Sequence, residues 1–171
     1  MYKIVETILK NFTVTFFIVG VICSLVAIYK HRNQLTKDFV VETVFKYFCF
    51  WAHGVTWVYN GIIHVIFHKM AADLIGWADS PFQIELGVAS IGFGLIGLLA
   101  HKKDFGIRLA LVVSTSVFLW GCAIGHIVEM NATGNQAEMN GGVMLWTGIL
   151  HPFVSIILLR LSYLATKVKT A

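Results

Sequence analysis

Long apolar runs, separated by short polar segments, dominate the hydrophobic pattern of this chain. At about 1.5 Å per helical residue, a run needs roughly 20 residues to cross the hydrocarbon core of a bilayer. Five runs approach or exceed that length, and they cover residues 12–29, 44–67, 82–100, 107–130 and 143–163. The pattern therefore predicts an all-α integral membrane bundle of five transmembrane helices, forming one domain over residues 1–171.

The composition agrees with a lipid bilayer as the surroundings of this chain. Hydrophobic residues make up 57 % of the sequence and charged residues only 13 %, whereas an ordinary soluble domain carries roughly 25 % charged residues. No basic patch is interleaved with aromatic residues, so nucleic acid is not expected as a partner. No nucleophile elbow, phosphate loop or HExxH motif is found, so no reaction class is indicated.

Positive charges predict the orientation of the five spans, because cytoplasmic loops are enriched in Lys and Arg. Loops and ends alternate between two sides, and the basic side should be cytoplasmic. That side carries Lys30, Arg32, Lys37, Lys46, Lys102, Lys103, Arg108, Arg160, Lys167 and Lys169. The other side carries Lys3, Lys10 and Lys69. The N-terminus is then predicted outside and the C-terminus in the cytoplasm.

A face of small residues on the third span predicts a close helix contact. Gly87, Ser90, Gly94 and Gly97 recur at spacings of three and four, and such a face lets another helix approach closely. The contact could lie within the chain, or it could join copies in a homo-oligomer or subunits of a larger membrane complex.

Histidines and acids placed at membrane depth are the candidate functional residues, since buried polar groups in lipid are costly. Helical spacing and depth predict that several of them gather in the outer half of the bundle. They are His64, His68, Glu85, His126, Glu129 and His151. His53 lies deeper, and its role stays open.

Three functional hypotheses follow from this predicted cluster. Imidazole and carboxylate ligands together favour a transition metal such as iron, copper or zinc, in a protein that could be an oxidoreductase exchanging electrons with a quinone. Alternatively, His64 and His126 could be the axial ligands of a b-type haem. A non-catalytic accessory subunit, or a path for protons or small molecules, is the third hypothesis.

The loop over residues 131–142 reads NATGNQAEMNGG. A loop so rich in Asn and Gly turns tightly and can close over the mouth of the bundle, or offer amides to a ligand. An ordinary exposed turn is the alternative.

Three segments carry a resemblance to a known family. They are GWADSPFQIELGVASIGFGLIG from Gly76, GHIVEM from Gly125, and NGG followed by HPF between Asn140 and Phe153. With them, the second to fifth predicted spans resemble a bacterial family of small membrane proteins distantly similar to DoxX-type proteins. The resemblance implies a compact multi-span bundle in a bacterial inner membrane, and it brings no activity. The first span departs from the four-helix DoxX arrangement.

Overall fold

The computed structural model describes residues 7–102 and 104–167, and in this part of the chain the regular structure is helical, without strands. Four helices are long and apolar enough to cross a membrane: Phe12–Lys30, Phe82–Ala100, Phe105–Thr133 and Glu138–Ala165. The all-α prediction is therefore confirmed for the described residues, and the four helices are candidate membrane spans. Lys3, Lys103 and Lys169, which contribute to the predicted orientation, lie outside the described residues.

The helices follow one another with short connections. In chain order they are α1 (Phe12–Lys30), α2 (Lys37–Tyr47), a π-helical segment (Phe48–Val55), α3 (Thr56–Ile66), α4 (His68–Ile75), α5 (Phe82–Ala100), α6 (Phe105–Thr133), α7 (Glu138–Gly141) and α8 (Val143–Lys167). A short 3-10 turn, Arg32–Gln34, joins α1 to α2. The short helices α4 and α7 lie at the same end of the bundle, which we call the α4 end.

The second predicted span is the one that differs most from the structure. Residues 37–66 are continuously helical, but they divide into α2, the π segment and α3, and none of these alone is long enough to span. The π segment widens the helix, so the rotation per residue there differs from that of an α-helix. Phe67 then leaves helical geometry, with φ −115° and ψ 37°, and so separates α3 from α4.

Local sequence signals explain where the helices begin and end. Thr36 caps α2 by accepting a hydrogen bond from the Phe39 N–H at 3.1 Å, and Asp104 caps α6 through the Ile107 N–H at 2.7 Å. Gly76 ends α4 and Gly134 ends α6, both with a positive φ that favours glycine. These signals fix where the loops begin and end, and the polar residues of the α4 end lie next to these loops.

The small-residue face of α5 packs within the chain. A Cβ on Gly94 would lie 2.7 Å from the Val58 backbone nitrogen, and one on Gly97 would lie 2.6 Å from that of Gly54. Ser90 continues the contact by accepting a hydrogen bond from the Asn60 amide at 3.0 Å. The face is thus buried against α3 and the π segment, which is the within-chain alternative of the prediction, and a homo-oligomer or a larger membrane complex stays a prediction.

An ion pair and an apolar cluster hold the opposite end of the bundle. Arg108 is 1 % exposed and donates to Glu42 at 2.9 Å, to Ser162 at 3.1 Å and to the Ala100 carbonyl at 3.0 Å. It thereby ties α2, α5, α6 and α8 together. The neighbouring core comprises Phe45, Phe48, Cys49, Ala52, Ala100, Leu111 and Val112.

Candidate ligand cavity at the α4 end

A cavity of about 390 Å³ lies among α3, α5, α6 and α8 and extends from the middle of the bundle to the α4 end. Its size falls within the range of roughly 300–1,000 Å³ found for small-molecule sites. Most of its wall is apolar, and two tryptophans, Trp57 and Trp77, contribute to it. Its polar lining residues are Thr13, Thr56, Asn60, His64, Gln83, His126, Thr147 and His151.

His64 reaches this cavity from α3, and its orientation is set by a buried amide of α5. Its Nδ1 lies 2.7 Å from the Gln83 Oε1, and both side chains are buried. Because an amide oxygen only accepts, the Nδ1–H donates and the neutral ring carries no proton on Nε2. That Nε2 makes no hydrogen bond to any residue within 7–102 and 104–167.

His126 reaches the cavity from α6, and a chain of polar groups fixes its tautomer. The Asn140 amide nitrogen donates to the Glu129 carboxylate at 2.7 Å and to the Asn135 carbonyl at 3.1 Å. The Asn140 oxygen must therefore face His126 and accept from its Nδ1–H. The ring of Trp77 stacks on His126 with centroids 4.8 Å apart, and the Nε2 of His126 has no partner among the described residues.

A second pair of histidines lies deeper: His151 lines the cavity and His53 lies behind it. The Nε2 atoms of His151 and His53 are 3.2 Å apart, and the His53 Nε2 also lies 3.1 Å from the Ser155 hydroxyl. That hydroxyl donates to the His151 carbonyl at 2.9 Å, so its oxygen accepts from His53. The Nδ1 of His53 is buried and has no hydrogen-bond partner in the described part of the chain.

The predicted metal centre is wrong, because no group of three or more His, Cys, Asp or Glu among the described residues could hold a metal ion. His68 pairs with Asp79 at 2.8 Å instead of joining His64, since the break at Phe67 destroys their helical i, i+4 relation. Glu85 is exposed on α5, roughly 160° from Gly87 on the opposite side of the helix.

The remaining predicted ligands are occupied by other partners. Glu129 accepts from Asn140 and Asn135, His126 donates to Asn140, and His151 faces His53. Haem held by His64 and His126 stays a prediction, and so does a role as a non-catalytic subunit or path.

Two amide residues that matter here were missed by sequence reasoning. Gln83 and Asn140 are 3 % and 0 % exposed, and they orient the two cavity histidines. Asn140 belongs to the Asn- and Gly-rich loop, which folds back onto the end of α6 and contributes Met139 to the cavity wall. The composition of that loop was the signal for Asn140, whereas Gln83 carried none beyond its polarity next to an apolar run.

Comparison with known proteins finds one match to a described family. The model of a family of unknown function (DUF6790) matches residues 10–167. No curated protein and no solved structure matches this chain.

Proposed function

We propose that this chain, which belongs to the family of unknown function matched over residues 10–167, binds a largely apolar molecule that carries a hydroxyl group. The ligand would occupy the cavity at the α4 end. The observation that carries the proposal is the Glu129–Asn140–His126 chain, which leaves a hydrogen-bond acceptor without a partner among the described residues at the wall of an apolar cavity.

The chemistry of the two imidazoles selects the ligand class. With Nδ1–H donating to an amide oxygen, His64 and His126 each offer a lone pair on Nε2. A lone pair accepts a hydrogen bond from a hydroxyl group, whereas a carbonyl oxygen has no hydrogen to donate to it. The quinone predicted from the sequence would therefore fit better in its hydroxyl-bearing reduced form, as one member of a wider class of lipophilic alcohols and phenols.

A matched pair of probes tests the proposal. In 4-nonylphenol and its methyl ether the alkyl chain and ring are the same, but only the phenol can donate a hydrogen bond. Binding to the purified protein in nanodiscs can be followed by the fluorescence of Trp57 and Trp77, which line the cavity. One added hydrogen bond contributes about 1 kcal/mol, so we expect the phenol to bind about fivefold to tenfold more tightly.

A His126→Phe variant supplies the matched control. Phenylalanine keeps a ring against Trp77 but has no acceptor, so the affinity advantage of the phenol over the ether should shrink, and it should vanish when His64, the other acceptor, is also replaced by Phe. Equal binding of both probes to the wild-type protein would contradict the donor requirement. Binding of neither probe would contradict the ligand cavity.

The finer membrane topology belongs to the same proposal. Residues 37–66 form a helical stretch of 30 residues, about 45 Å long at the α-helical rise and sufficient to span. With five spans the N-terminus lies outside, the C-terminus is cytoplasmic, and the α4 end faces outward, as in a bacterial inner-membrane protein of distantly DoxX-like kind. Alkaline phosphatase fused after Asp79 should then be active and after Asp104 inactive, and the reverse pattern would contradict this topology.

A further inference from the structure

We infer that the ligand reaches the cavity sideways from the bilayer, through a gap between α5 and α6 whose α6 wall is formed by Gly121 and Gly125. The inference rests on the proposed ligand cavity, and it specifies the phase from which the ligand comes. It also narrows the ligand to molecules that dissolve in lipid.

The two glycines are unusual in lining the cavity while remaining exposed at the surface. A Cβ built on either of them meets no atom of the described residues within 4 Å outside its own helix backbone. By contrast, Gly61 and Gly87, which lie in the α3–α5 contact, would place a Cβ 2.5–2.9 Å from neighbouring atoms. Close packing therefore does not explain why Gly121 and Gly125 are glycines, because no described residue packs against them. The α6 wall of the cavity is open at these two positions.

The gap between α5 and α6 is closed on the side away from the α4 end, and residues of α5 form the wall that faces the two glycines. Helix α5 ends at Ala100 and α6 begins at Phe105, and near mid-height Phe93 of α5 packs on Phe118 of α6 with ring centroids 5.3 Å apart. Trp57 packs on both rings at 5.3 and 5.5 Å and so helps to close the space between α5 and α6 at this height. Closer to the α4 end, α5 presents Leu86 and Phe82 to the cavity, and Phe82 is 59 % exposed.

Spacing places both glycines on this gap. Gly121 and Gly125 are four residues apart, so they lie one above the other on the helix at a rise of about 6 Å. Both are within roughly 60° of Phe118 around the α6 axis, on the side that faces α5. Trp120 lies on the far side, where its indole donates to the Ile149 carbonyl of α8 at 3.2 Å.

A lateral route matches the chemistry of the cavity. A largely apolar ligand is concentrated in the hydrocarbon of the bilayer and would not have to cross the polar loops of the α4 end. Its hydroxyl group, without a partner in lipid, gains one on meeting an imidazole acceptor inside. The route therefore favours ligands with a hydrogen-bond donor that dissolve in lipid over those that dissolve in water.

Narrowing the gap should slow ligand exchange. Gly121→Leu and Gly125→Leu each place a branched side chain in the opening. We expect association of 4-nonylphenol with protein in nanodiscs, followed by stopped-flow fluorescence, to slow by about tenfold, equivalent to roughly 1.4 kcal/mol on the barrier. Dissociation should slow by a similar factor, because both directions use the same gap.

Gly92→Leu is the matched control, because Gly92 is an exposed glycine of α5 that does not line the cavity, and a Cβ added to it meets no described atom within 4 Å. It should leave both rates unchanged. Phe82→Ala removes an exposed ring from the other wall and should speed association, which keeps the test decisive if a leucine variant fails to fold.

The outcomes separate this inference from the proposed function. Slower association in the leucine variants, or faster association in Phe82→Ala, supports the lateral route. Association rates that stay at the wild-type value in the leucine variants and in Phe82→Ala overturn the route while leaving the cavity proposal in place. Absence of binding to the wild-type protein overturns both.

Discussion

Substitution of Gly94 by alanine tests the contact that brings the two halves of the cavity together. The added methyl carbon would lie 2.7 Å from the Val58 nitrogen and 2.9 Å from the Gly54 carbonyl oxygen. Both neighbours are backbone atoms, so α3 and α5 must move apart by several tenths of an ångström. Overpacking of this kind costs about 1–3 kcal/mol, and we expect Gly94→Ala to lower the free energy of unfolding by that amount.

The assay is thermal unfolding of the detergent-purified protein, with Gly92→Ala as the matched control. A methyl group on Gly92 meets no atom within 4 Å, so its effect should stay within about 0.5 kcal/mol. For a chain of this size, each kcal/mol shifts the unfolding midpoint by roughly 2–4 °C. The reasoning would be refuted if the two variants unfolded at the same temperature, because the close α3–α5 contact would then not exist.

Two further predictions concern buried polar groups away from this contact. Asn140→Leu removes two donated hydrogen bonds and the acceptor of His126; at about 1 kcal/mol each this should cost roughly 3 kcal/mol and speed amide exchange in residues 131–142. Arg108→Met leaves the Glu42 carboxylate without its guanidinium partner and should cost about 3–5 kcal/mol, with part of the loss recovered by adding Glu42→Gln. Thermal unfolding and hydrogen exchange check both, and wild-type behaviour in either variant would contradict the corresponding contacts.

The apolar pattern was sufficient to predict most helix positions. The third predicted span coincides with α5 at 82–100, and α1 extends one residue beyond the first. Such runs can be predicted from the sequence because lipid requires both apolar side chains and internal backbone hydrogen bonds over a fixed length. The π segment at Phe48–Val55 could not be predicted, because no residue in that run signals a change in helix width.

Of the histidines singled out at membrane depth, His53 and His64 are buried, but the partners of the histidines were not predicted. The sequence left the role of His53 open, and in the structure the π segment turns His53 towards Ser155 and His151. The break at Phe67 likewise sends His68 to Asp79. Small changes in backbone geometry thus decide which polar groups meet. These changes cannot be predicted from the spacing of residues along an ideal helix.

The proton positions on His64 and His126 provide the most direct test of the proposed binding chemistry. Solid-state ¹⁵N NMR of the histidine-labelled protein in lipid bilayers distinguishes a protonated from a bare ring nitrogen, and His64→Gln and His126→Gln variants assign the signals. The proposed binding requires the proton on Nδ1, which faces an amide oxygen in both histidines, and a bare Nε2 whose resonance shifts when 4-nonylphenol is added. Rings protonated on Nε2, or Nε2 resonances whose chemical shifts stay unchanged when the phenol is added, would contradict the account.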